Sequence, residues 1–104
     1  MREIKAADIS AAVARMCVSA NTRLPDDVRK KFEEGYAKET TEAGKEIFRQ
    51  LLENADLAFE TKLPLCQDCG LAIFYVELGE DVFVPGGVST AITEGMVAGY
   101  KDGF

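Results

Sequence analysis

Cys66-Gln67-Asp68-Cys69, within the run Leu63-Pro64-Leu65-Cys66-Gln67-Asp68-Cys69-Gly70, places two sulfur ligands, an amide and a carboxylate in four residues. These residue types support several chemistries. Two thiols at this spacing can share a metal ion or form a redox pair, and a single thiolate can hold iron while the amide and acid beside it face a substrate. The same four residues also read as a plain turn, with Gln67 and Asp68 bonding to nearby backbone. The chain contains no histidine, which removes the commonest general base near neutral pH and the commonest zinc ligand. Serine–histidine and cysteine–histidine nucleophile pairs are therefore excluded within this polypeptide, and acid–base work falls to carboxylates, lysine, tyrosine or cysteine.

The elements that must position this loop are legible as periodicities. Ile9, Ala12, Val13, Met16, Cys17 and Ala20 repeat at helical spacing and predict a helix ending near Asn21, with Cys17 on its buried stripe as a small core hydrophobe. Pro25-Asp26-Asp27 reads as a helix start, with Val28, Phe32 and Tyr36 along a narrow apolar face. After the polar stretch 39–44, Ile47, Phe48, Leu51, Leu52, Ala55 and Phe59 define a third helix, running to about Thr61 before Pro64 stops it. Leu71 to Leu78 is apolar on both faces and predicts a central strand, and Val82-Phe83-Val84 predicts a short second strand pairing back on it. Ala91, Ile92, Gly95, Met96 and Gly99 predict a last helix whose small residues allow close backbone packing. The fold class expected is α+β, mostly helical, with about four helices and one central apolar strand near 71–78. Such a strand lacks partners here, because a two-stranded ribbon is marginal alone. The chain thus reads as the front part, 1–104, of a larger domain that continues past Phe104.

Composition narrows the partners. A chain of 104 residues is one domain at most. Twelve basic against eighteen acidic residues give a net charge of −6, which disfavours a nucleic-acid role and gives no long-range pull on anionic substrates. Arg23 and Arg49 fall on predicted helix ends or surfaces, and Lys62, close to the loop in sequence, reads equally as a surface residue. No apolar run is long enough to cross a bilayer, and Met1-Arg2-Glu3-Ile4-Lys5 is not a signal peptide. Three cysteines without a secretory context read as reduced thiols in the cytoplasm.

Against this background the readings of the loop separate. A zinc site needs four ligands, and Cys17 adds at most a third sulfur. A thioredoxin-type pair normally follows a strand and opens a helix, whereas here the order is helix, proline, motif, strand. A bare Cys-x-x-Cys is otherwise a weak signal, and the turn and the iron–sulfur ligand both stay open on the residues alone.

The wider sequence carries a resemblance. Leu51-Leu52-Glu53-Asn54-Ala55-Asp56-Leu57-Ala58, then Leu63-Pro64-Leu65-Cys66-Gln67-Asp68-Cys69-Gly70, then Ala72-Ile73-Phe74-Tyr75-Val76, closely resemble the iron–sulfur hydro-lyases. The likeness is to the N-terminal part of the alpha subunit of two-subunit class I fumarate hydratase and L-tartrate dehydratase. The opening residues 1–4, the stretch 20–28 and the last helix, 91–103, are similar as well. The family usually has threonine at the Cys69 position, and an acid where Gly87 stands. The resemblance implies that Cys66 is one of three cysteine ligands of a 4Fe–4S cluster, the other two lying outside this chain. It further implies that Gln67 and Asp68 contact the substrate, with Asp68 catalytic, and that Cys69 need not be a ligand. The implied activity is reversible addition or removal of water on a C4 dicarboxylate. The implied partners are the rest of the alpha subunit and a beta subunit, and the isolated fragment is expected to be inactive. The alternative is a small redox or metal-binding module using Cys66 and Cys69 together.

Overall fold

Thr41 begins the helix that matters most for the loop. Its hydroxyl accepts from the Gly44 N–H at 3.1 Å, satisfying one of the otherwise orphaned donors of a helix start. Glu39 reinforces the junction, since one carboxylate oxygen accepts from the Thr40 N–H at 2.9 Å, the Thr41 N–H at 3.0 Å and the Thr41 hydroxyl at 3.1 Å. These bonds hold the Glu39 carboxyl below its ordinary range. The helix runs Glu42–Thr61 and ends on Lys62, which adopts a left-handed conformation (φ 57°, ψ 34°) and donates its N–H to the Ala58 carbonyl. Pro64 follows, as a stop signal requires.

A computed structural model describes residues 1–104. The elements in chain order are β1 (Arg2–Glu3), α1 (Ala6–Thr22), α2 (Asp26–Lys38), α3 (Glu42–Thr61), β2 (Val82–Phe83) and α4 (Val88–Asp102). The fold is mostly helical with one two-stranded parallel sheet. The chain forms two compact units, Met1–Ser19 with Gly70–Phe104, and Ala20–Cys69.

In the first unit, α4 lays small residues against α1. Gly95 faces Ser10 and Val13, and Gly99 faces Ala14 and Cys17, so closely that a Cβ on either glycine would stand within 3 Å of those atoms. Only glycine lets the two backbones meet at that distance. The Ser10 hydroxyl donates to the Ala91 carbonyl at 2.7 Å and joins the helices at the same seam. Val13, Cys17, Val84 and Ala91 are the buried side chains of this unit. Gly87 precedes α4 at φ 92°, a region side-chain-bearing residues avoid.

Two strand expectations are corrected here. Leu71 to Leu78 forms no strand, and Leu71, Ile73 and Tyr75 are 87%, 68% and 95% exposed. The segment has strand-forming residues but no neighbouring strand to receive its backbone bonds, and propensity alone does not make a strand. Val82–Phe83 does form a strand, but it pairs in parallel with β1, Arg2 opposite Val82 and Glu3 opposite Phe83. The Arg2 N–H donates to the Asp81 carbonyl at 2.6 Å and the Ile4 N–H to the Phe83 carbonyl at 3.0 Å.

The second unit is a helical hairpin. Phe32 of α2 and Phe48 of α3 meet with ring centroids 6.4 Å apart. Arg29 of α2 donates to Asp56 of α3 at 2.8 Å and to Glu33 at 3.2 Å. Ala55 and Ala58 are buried, whereas Ile47 and Phe59 of the expected apolar face are largely exposed.

Candidate functional site

The Cys66 loop leaves the C-terminal end of α3 with its geometry set by backbone bonds. The Leu63 N–H donates to the Ala58 carbonyl at 3.2 Å, continuing the cap on α3. Leu65 is then held at both of its polar groups. Its N–H donates to the Asn21 carbonyl at 2.8 Å, and its carbonyl accepts from the Asn54 amide at 2.8 Å. Residues 65–67 bend the chain, which runs on without regular structure to Gly70.

Within the bend, Cys66 is exposed and its sulfur takes the Asp68 N–H at 3.4 Å. The Cys66 thiol is itself 3.4 Å from the Gln67 side-chain oxygen and donates to it. A backbone N–H directed at a cysteine sulfur is the kind of neighbour that tunes a bound metal. Gln67 and Asp68 are exposed beside it. The three residues singled out for metal and substrate contact are therefore consecutive on one turn and open to solvent.

Cys69 stands differently. It is half-buried, and its thiol donates to the Cys66 carbonyl at 3.8 Å. None of the three cysteines is in a disulfide. Cys17 is 5% exposed on α1 against Gly99, and burial pushes its thiol up from the ordinary value. It is a core residue, as its place on the apolar stripe predicts. No group of three or more Cys, Asp or Glu gathers to hold a metal ion. The loop also follows a helix C-terminus, so no helix N-terminus lies directly after the motif to favour a redox thiolate.

Arg49, Arg23 and Lys62 are engaged elsewhere. Arg49 pairs with Glu46 and Glu53 along α3, Arg23 pairs with Asp26 at 3.3 Å, and the Lys62 ammonium lies 5.6 Å from the centre of the Phe59 ring. Asn21 and Asn54 touch the loop although their residue types alone do not point to it. Both lie in stretches that carry the family resemblance; apart from that, the sequence shows only a polar amide between apolar positions of α3, at Asn54, and a helix-terminal asparagine at Asn21.

The fumarate hydratase (Fumerase) family profile matches residues 10–104. The chain belongs to that family. It is 38% identical over 74 residues to a Methanocaldococcus jannaschii protein provisionally named as an L(+)-tartrate dehydratase subunit alpha, covering 71% of this chain and 26% of that protein. The L(+)-tartrate dehydratase subunits alpha of Escherichia coli K12 and of Shigella boydii serotype 4 are each 36% identical over 67 residues, covering 64% of this chain and 22% of theirs. The chain thus spans about a quarter of the length of these relatives. No helix is long and apolar enough to cross a membrane.

Proposed function

We propose that this chain supplies the cysteine-bearing loop of an iron–sulfur hydro-lyase that adds water to, or removes it from, a C4 dicarboxylate, by fumarate hydration or tartrate dehydration. The observation that carries the reading is an exposed Cys66 followed directly by Gln67 and Asp68 on a pinned bend, in a chain of the fumarate hydratase family. The donor set fits a 4Fe–4S cluster held by several segments, because the loop offers one exposed sulfur with a backbone N–H upon it. A closed mononuclear site would need further ligands around Cys66. When bound, the cluster supplies a Lewis-acidic iron that favours loss of the substrate hydroxyl.

In this reading Cys66 is the metal ligand. The Gln67 amide donates to a substrate carboxylate oxygen, and the Asp68 carboxylate orients the substrate hydroxyl and holds or moves its proton. Cys69, turned to the Cys66 carbonyl, is a loop residue in place of a hydroxyl side chain. The 104 residues act as the N-terminal portion of an alpha subunit, together with the rest of that subunit and a beta subunit in the cytoplasm, and are inactive alone. Support for partners comes from the alpha-subunit names of the relatives and from the quarter of their length that this chain spans.

The test is steady-state hydration of fumarate and dehydration of L(+)-tartrate by the complete subunit assembly. Asp68→Asn should lower kcat by on the order of a hundredfold or more, the usual effect of a proton-transfer group, and Gln67→Ala should raise KM. An Asp68→Asn enzyme with undiminished kcat on both substrates overturns the reading.

A further inference from the structure

The backbone that leads into Cys66 is held from outside the loop at Leu65, by the Asn21 carbonyl and by the side chain of Asn54. Around Cys66 the loop has bonds that involve sulfur, a weak donor and acceptor: the Asp68 N–H and the Gln67 side-chain oxygen at 3.4 Å from Sγ, and the Cys69 thiol at 3.8 Å from the Cys66 carbonyl. Two shorter bonds, each 2.8 Å, hold Leu65. They act on opposite sides of the residue that immediately precedes Cys66. The Asn21 carbonyl takes the Leu65 N–H from the end of α1, and the Asn54 amide reaches the Leu65 carbonyl from the body of α3. That carbonyl belongs to the peptide plane whose nitrogen is Cys66's own, so fixing it fixes the direction in which the Cys66 backbone departs.

We infer that Asn54 is a positioning residue whose side-chain amide, by donating to the Leu65 carbonyl, orients the Cys66-Gln67-Asp68 turn for its ligand. The inference deepens the proposed function and rests on that reading for its significance, although the clamp itself stands on the hydrogen bonds. The side-chain chemistry is specific. A carbonyl needs a donor, the asparagine amide supplies one, and an ionised aspartate of the same shape supplies none. Asn54 is otherwise a poor choice for the middle of α3, where alanine is the better helix former. Its presence there costs helix stability that a role in the loop would offset.

The experiment measures backbone amide hydrogen exchange and heteronuclear NOE values across residues 63–69 of the 104-residue chain. Three proteins are compared: unaltered chain, Asn54→Ala and Asn54→Asp. Far-UV circular dichroism checks that α3 is intact in each, and alanine should strengthen the helix. The expected result is Leu65 amide protection roughly fivefold lower in both variants at neutral pH, the order expected for one lost neutral hydrogen bond, with lower NOE values from Leu65 to Asp68. On acidification below about pH 4, the usual aspartate range, the Asn54→Asp carboxyl gains a proton and can donate. Its protection relative to unaltered chain at the same pH should then recover, while that of Asn54→Ala should not. A space-filling role would show no such pH-dependent rescue. Unchanged Leu65 protection in Asn54→Ala, or no recovery in Asn54→Asp at low pH, overturns the inference. Neither outcome touches the ligand role of Cys66. That role is tested separately by Cys66→Ser, and its failure would leave the exchange result standing.

Discussion

Gly95→Ala probes the seam on which the first unit depends. A Cβ at this position would stand 2.5 Å from the Ser10 carbonyl oxygen, 2.8 Å from the Val13 Cβ and 2.9 Å from the Ser10 Cα. Carbon contacts are comfortable at about 3.5–4.0 Å, so α1 and α4 must separate by roughly 1 Å. Two of the three opposing atoms are backbone and cannot rotate away. Overpacking of this kind costs about 1–3 kcal/mol, and alanine in place of glycine within a helix returns roughly 1 kcal/mol. The net loss is therefore about 1 kcal/mol and at most about 2 kcal/mol. For a chain of this size that lowers Tm by on the order of 4–8 °C per kcal/mol, readable in a thermal melt followed at the helix band. Gly99→Ala, facing the Ala14 carbonyl oxygen and the Cys17 Cβ at 2.9 Å each, should act in the same direction. Because both work by prising the same pair of helices apart, the double variant should lose less than the sum of the two. A Gly95→Ala chain that melts at or above the unaltered temperature would refute the reasoning, since the helix-propensity gain would then be unopposed and the close approach absent.

Thiol titration should divide the cysteines. Cys66 and Cys69 should react with a disulfide reagent in the native chain, Cys66 faster, while Cys17, buried and with its thiol raised by desolvation, reacts only on unfolding; three equally fast thiols would contradict the packing of α1 on α4. Acid should destabilise the chain through Glu46, whose carboxyl is held down from 4.5 to about 2 by its bond to Arg49 and then by Gln50. A depressed folded value means that the stabilisation is complete above the ordinary range and is lost as pH falls from 4.5 to about 2. Because the pair is exposed, salt should weaken the effect. Glu46→Gln should flatten that part of a melting-temperature profile against pH, and a profile rising on acidification there would count against the ion pair.

The helices were legible because each carries its own evidence. Thr41, the apolar spacing from Ile47 to Phe59 and Pro64 fix α3 without reference to anything distant, and Pro25 with its two acids fixes the start of α2. The glycine positions of α4 likewise announce a close neighbour, though not which helix it is. Leu71–Leu78 was misread because a strand exists only through a partner, and period and residue type describe the segment's capacity rather than its bonding. The pairing of Val82–Phe83 with Arg2–Glu3 was illegible for a related reason. Two residues carry no periodicity, and nothing local ties them to the start of the chain. The loop divides the same way. Cys66, Gln67 and Asp68 were visible as residue types, and Cys17 as a member of an apolar stripe. Asn21 and Asn54 were not, because their role depends on which backbone groups the fold sets opposite them.

The most direct test of the central claim separates the two cysteines of the loop. The subunit is produced with its partner and loaded anaerobically with iron and sulfide, and cluster content is read by absorbance and by iron and sulfide analysis. Cys66→Ser should lose the cluster, and Cys69→Thr should keep it with the spectrum of the unaltered protein. Equal loss from both substitutions, or a cluster that survives Cys66→Ser unchanged, would contradict the assignment of Cys66 as the ligand.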